Sequence, residues 1–268
     1  MQAPSIQAAE SLGISSVPNL RAVGGMTTRD GRLVRTSLLY RSGALDRVGD
    51  GDLLAFERLR IRRVYDLRGA VEREMAPDIL LAGAGYVIGD VLADWSEGGP
   101  DRVFRWWTDP AAARRALGGG RAEALWTDQY RALVTLASAR AAYGRLFREL
   151  ARAENRPALV HCSGGKDRSG WAAAALLLLL GVGPDVVMTD YLRGGWQSEV
   201  GAAGLMRTLT ERGGDPALWQ PIFSARPAYL EAALDQVDRS FGSIEAYFGE
   251  GLGVDPAAQD ALRVAFVA

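Results

Sequence analysis

Three residue types are almost missing from this chain of 268: it has one cysteine, one histidine and one lysine, the last against thirty arginines. A single cysteine excludes an intramolecular disulfide and any all-cysteine metal site. A single histidine excludes the usual zinc constellations and a second imidazole for proton relay. Long apolar runs are missing too. The longest, Trp171–Leu180, is ten residues, half of the about 20 that cross a bilayer. Charge of one sign is not in excess, since the net charge is −1; no global field draws the chain to nucleic acid or an anionic membrane. Residues 1–18 show no basic segment followed by an apolar one, which predicts a cytoplasmic protein.

What is present is concentrated. The lone histidine, cysteine and lysine, His161, Cys162 and Lys166, fall within six positions of one another, in Val160-His-Cys-Ser-Gly-Gly-Lys-Asp-Arg-Ser-Gly170. The flanks give that segment a frame. Ala139, Ala142, Tyr143, Leu146, Phe147 and Leu150 recur at helical spacing, and Ala158–His161 follows Pro157 as a buried strand. An all-apolar helix is expected from about Ser169 to Leu180, stopped by Gly181. Leu33–Tyr40, Arg62–Leu67 and Tyr86–Ile88 read as further short strands, with a helix over Asp50–Arg60 and another around Tyr229–Val237. Strands alternating with helices predict an α/β fold, a mostly parallel central sheet flanked by helices, in a single domain over 1–268. Residues 92–120 and 194–225, rich in Gly and Trp, are expected to be lid insertions.

The spacing Cys162 to Arg168 carries a definite chemistry. A free thiol, with a pKa of about 8.5, is mostly neutral at pH 7, whereas attack on phosphorus needs an anionic sulfur. A strand ending at His161 and a helix starting near Ser169 force the backbone between them to wrap around the sulfur. Its amides then form an anion nest backed by the helix dipole. Gly164 and Gly165 permit the curvature. Arg168 offers a planar fork to two phosphoryl oxygens, and Ser169 can donate to the sulfur when it leaves. Cys162 and Arg168 are therefore the catalytic candidates, with Ser163, Gly164, Gly165, Lys166, Ser169 and Arg41 assigned to substrate binding. The leaving oxygen needs a proton: Asp167 in the loop ranks first, Asp90 after the Tyr86–Ile88 strand second, and Asp94 is a third choice. His161 is expected to anchor the loop, and Asp66 and Arg68, with Glu72, to form a structural ion-pair cluster. No metal or organic cofactor is expected.

These residues resemble the atypical bacterial tyrosine/lipid phosphatases, whose signature reads His-Cys-x-x-Gly-Lys-Asp-Arg-Thr-Gly. Ser169 replaces the threonine here, and Ser163-Gly164 a bulkier pair. The likeness extends to Asn19-Leu-Arg-Ala22, where the family has Asp at the last position, and to Leu39-Tyr-Arg-Ser-Gly43 and Asp66-Leu-Arg68. It continues in Thr127-Asp-Gln-Tyr130, Asp190-Tyr-Leu-Arg193 and Arg226-Pro-Ala-Tyr-Leu230. The resemblance implies a cysteine-phosphatase fold with a helical lid. It also implies a phosphorylated substrate: phosphotyrosine, phosphoserine/threonine or phosphoinositide. In that family Lys166 and Asp167 would shape the site and its acid chemistry.

Other readings compete. A small-molecule phosphatase acting on a sugar or nucleoside phosphate uses the same loop. A phosphate-binding module without turnover would have no need of both Cys162 and Arg168. A nucleotide-binding loop is excluded, because Val160 stands where its first glycine belongs and Asp167 where Ser or Thr belongs. Trp106 and Trp107 serve either packing or an aromatic substrate. The lid stretches hold both arginines and acids, which leaves lipid and metabolite substrates open.

Overall fold

The computed structural model describes Leu12 and residues 14–96, 100–194 and 206–268. Five strands form one sheet: β1 (Arg21–Ala22), β2 (Leu39–Ser42), β3 (Arg63–Asp66), β4 (Gly85–Ile88) and β5 (Ala158–His161). Their order is β1-β2-β5-β3-β4, with only the β1–β2 pair antiparallel. The helices are α1 (Asp50–Leu59), α2 (Ala70–Met75), α3 (Pro100–Thr108), α4 (Pro110–Leu117), α5 (Arg121–Thr135) and α6 (Ala137–Leu150). They continue as α7 (Arg168–Leu179), α8 (Pro184–Leu192), α9 (Pro216–Phe223), α10 (Pro227–Phe241) and α11 (Pro256–Phe266). None is long and apolar enough to cross a membrane.

Strand alternation sorts the core into two layers. Leu39, Tyr65, Ala158 and Val160 face a large layer that includes Tyr143, Phe147 and Trp171. Their neighbours Tyr40, Val64 and Leu159 face a smaller one built on Leu45, Val48 and Phe56. This is what side chains pointing to opposite faces of a pleated strand produce. Helix α7, apolar on every side beyond its first turn, is buried along nearly its whole length in the large layer.

Most expected elements are present, with two differences. The run Leu33–Tyr40 is not one strand: Ser37 takes a left-handed φ of 65°, and ladder pairing starts only at Leu39. The two-residue β1 is too short for a periodicity to reveal. The stretch 92–120 does contain helices α3 and α4, and α9 lies in 194–225. Residues 97–99 and 195–205, with Trp196 among them, lie outside the described residues.

Candidate active site

The loop after β5 leaves the C-terminal end of the central strand, where His161 sits in register with Ser42 and Asp66 of the two neighbouring strands. Four of its carbonyls, Ser163 to Lys166, are held outward. Ser163 O accepts from the Ala44 amide at 3.1 Å and Gly164 O from Asn19 Nδ2 at 2.7 Å. Arg41 Nη2 donates to Gly165 O at 2.9 Å and to Lys166 O at 3.2 Å. A trans peptide directs N–H opposite to C=O, so each carbonyl turned out turns the next amide in. This turns the amides of Gly164 to Asp167 inward, and with those of Ser163 and Arg168 the six amides donate to no protein acceptor among the described residues. Six free donors around one point form an anion cradle.

Glycine makes the wrap possible at one position above all. Gly165 has φ +67°, and a Cβ there would lie 2.5 Å from Ser42 C and Gly43 N. At the centre is Cys162, its side chain packed in the core cluster and its Sγ 3.6 Å from Ser169 Oγ.

Arg168 is held from outside the loop. Its Nη1 and Nη2 each donate at 2.6 Å to one oxygen of Glu72, the third residue of α2. That end-on grip uses two of five N–H groups and leaves the Nε edge for an oxyanion. Glu72 also accepts from Ser163 Oγ and from the Gly69 amide. Burial raises the pKa of the Glu72 carboxyl, but the charge and hydrogen bonds of Arg168, with those of Ser163 and Gly69, overcome it and bring it down to about 2. Burial opposes the charge on Arg168 as well, and Glu72 reverses that, raising its pKa.

Lys166 and Asp167 point different ways from the rest. The Lys166 ammonium is buried; it donates to Ile222 O at 2.6 Å and Ser224 O at 2.9 Å, so it closes the C-terminal end of α9. Burial lowers its pKa, against the pull of Asp167 3.2 Å away. Asp167 Oδ1 also accepts from Tyr130 Oη at 2.8 Å.

A cavity of about 400 Å³ opens over the loop. Ser163, Gly164, Lys166, Asp167, Arg168 and Glu72 line its polar end. Apart from Gln129 the rest of the wall is apolar, with Val71 and Met75 from α2, Phe104 and Trp107 from α3, and Trp219 and Phe223 from α9. Trp107 meets Trp219 edge-on at 5.1 Å. Trp106 instead packs in the core.

Several sequence expectations are corrected. Arg41 does not reach the cavity: it is buried behind the loop, its donors directed at loop carbonyls and, at 3.5 Å, at Asp190. Asp90 caps its own turn through the Leu92 amide at 3.0 Å, and Asp94 accepts from Ser138 at the start of α6. Neither carboxylate lines the cavity, whereas Asp167 does. The expected Asp66–Arg68–Glu72 cluster is two clusters. Glu72 belongs to Arg168. Asp66 and Arg68 form a bidentate pair at 2.8 and 2.9 Å that also takes in Asp78, 2.8 Å from Arg68 Nη2. His161 is fully buried, its Nε2 3.1 Å from a carboxylate oxygen of Asp78 and 3.9 Å from one of Asp66. Asp66, Asp78 and His161 have the composition of a cation site, but the Arg68 guanidinium already sits between the carboxylates. Asp78 is the contributor that sequence reasoning passed over; Glu72 was expected in the Asp66–Arg68 cluster rather than on Arg168, and Asn19 and Tyr130 stood only in stretches that carry the family resemblance, with no role assigned.

Residues 12–268 match the model of the tyrosine phosphatase family. The chain is similar to a Cupriavidus necator protein named as a tyrosine-protein phosphatase, at 28% identity over 95% of this chain and 89% of that one. It is also similar to the triple specificity protein phosphatase PtpB of Mycobacterium tuberculosis, at 28% identity over 86% of this chain and 91% of the other. A looser likeness, to the crystal structure of P. aeruginosa TpbA, has a TM-score of 0.34 at 18% identity, over 70% and 87% of the two chains. With the cradle, its cysteine and its arginine in place and nearly the whole length matched, this chain belongs to the tyrosine phosphatase family and is a hydrolase.

Proposed function

We propose that the chain hydrolyses phosphomonoesters through a phosphocysteine formed on Cys162. The observation that carries this is the run of six amides, Ser163 to Arg168, without a protein acceptor among the described residues, in the loop that joins Cys162 to Arg168, whose Nε edge the Glu72 grip leaves open. Three phosphoryl oxygens fit those donors, and the sulfur stands opposite the leaving oxygen. Attack forms the S–P bond as the ester P–O bond breaks, and Asp167 gives the leaving oxygen its proton. Water then hydrolyses the intermediate, with Ser169 donating to the departing sulfur.

The cavity wall favours an aromatic or otherwise apolar leaving group, as in phosphotyrosine. Among the described residues none of the arginines of the lid stretches lines it, and the Lys166 ammonium is committed to Ile222 O and Ser224 O, so a second phosphate, as on a phosphoinositide, finds no free cation there beyond Arg168. Replacing Cys162 with Ser tests the mechanism. Turnover of a phosphotyrosine peptide is expected to fall by at least about 10³-fold while the variant still retains phosphopeptide in equilibrium dialysis. Undiminished phosphate release by Cys162→Ser would overturn the assignment.

A further inference from the structure

Two buried hydroxyls next to the site have no part in the chemistry so far. Tyr130, on α5, donates to Asp167 Oδ1 at 2.8 Å, and its oxygen lies 2.8 Å from that of Tyr191, on α8. Their rings meet edge-on at 5.9 Å. The Asp167 end of this chain of hydroxyls is closed by a group that only donates: the Lys166 ammonium lies 3.2 Å from the same Asp167 Oδ1. A tyrosine has one hydrogen to give, so the chain has one polarity: Tyr191 donates to Tyr130, and Tyr130 to Asp167. A carboxyl proton on Oδ1 would face two donors. Oδ2 has no partner among the described residues, and Asp167 lines the cavity.

We propose that Tyr130, backed by Tyr191, is a positioning residue that fixes the acidic proton of Asp167 on Oδ2 and aims it at the leaving oxygen of the phosphoester. This rests on the reading of Asp167 as the general acid. In the first step the S–P bond forms, the ester P–O bond breaks and the Oδ2 proton passes to the leaving oxygen. The carboxylate left behind keeps the Tyr130 hydrogen bond. In the second step water attacks phosphorus, its proton goes to Oδ2, and the S–P bond breaks to return the thiolate. Neither tyrosine gains or loses a proton; burial holds the Tyr130 hydroxyl far above its ordinary titration range.

The test is kcat/KM of Tyr130→Phe and Tyr191→Phe on 2,4-dinitrophenyl, 4-nitrophenyl and phenyl phosphate, with its pH profile. A leaving group that departs unaided needs no acid. Tyr130→Phe should therefore lose about 10–100-fold on phenyl phosphate, part of what a general acid supplies, and less than about 3-fold on the dinitrophenyl ester. The alkaline limb of its phenyl phosphate profile should also move, and Tyr191→Phe should show the same trend more weakly. An equal loss on all three esters, or none, overturns the proposal. If Tyr130→Phe does not fold, Tyr191→Phe decides on the same series. Asp167→Asn separates the two levels. If it steepens the leaving-group dependence and the tyrosine variants do not, only the positioning role fails. If it leaves the dependence unchanged, the acid assignment fails and the positioning role with it.

Discussion

Glu72 shows how much of this site is decided one side chain away from the chemistry. Its carboxylate occupies the end of the Arg168 fork and so sets which edge faces the phosphoryl group. Replacing it with Ala leaves a buried guanidinium uncompensated, which costs about 3–5 kcal/mol; denaturant unfolding at pH 7 measures this. The pH dependence has a definite sign. The carboxyl titrates at about 2 when folded and near 4.5 otherwise. Its contribution is therefore complete above pH 4.5 and is lost as pH falls from there toward 2. Wild type should lose stability across that window more steeply than Glu72→Gln, and parallel acid limbs would contradict the assignment.

At the scale of elements, the loop is a hinge-free connection between a buried strand and a buried helix, fixed by outward contacts to Asn19, Arg41 and Ala44. Gly165→Ala tests how rigid that frame is. With a positive φ and backbone at 2.5 Å from the new methyl, the substitution should destabilise by about 2 kcal/mol or more and reduce kcat/KM, both read on the same preparation. A variant of wild-type stability would show that the loop yields. The strand, loop and helix were legible in the sequence, because rare residue types at fixed spacing stand between an apolar strand and an apolar helix. Partners brought from far along the chain were not. Tyr130, Tyr191 and Glu72 reach the loop only through the packing of α5, α8 and α2, which no local periodicity encodes. Asp90 was placed near the cavity because it follows a strand, yet its carboxylate satisfies its own turn.

At the scale of the molecule, a cavity with one charged end and an apolar wall sorts substrates by what is attached to the phosphate. Across phosphotyrosine peptides, phosphoserine peptides, phosphoinositides and sugar phosphates, kcat/KM measured with chelator present should be at least about 10-fold higher for phosphotyrosine. Preference for a polyphosphorylated lipid would contradict the reading of the wall. Finally, the chain owns one sulfhydryl, and it stands in the loop between β5 and α7. A sulfenic acid formed there by peroxide has no neighbouring thiol in the same molecule to close a protective bridge. Recovery of the oxidised protein therefore depends on a thiol supplied from outside, and without one the damage advances toward the irreversible acids.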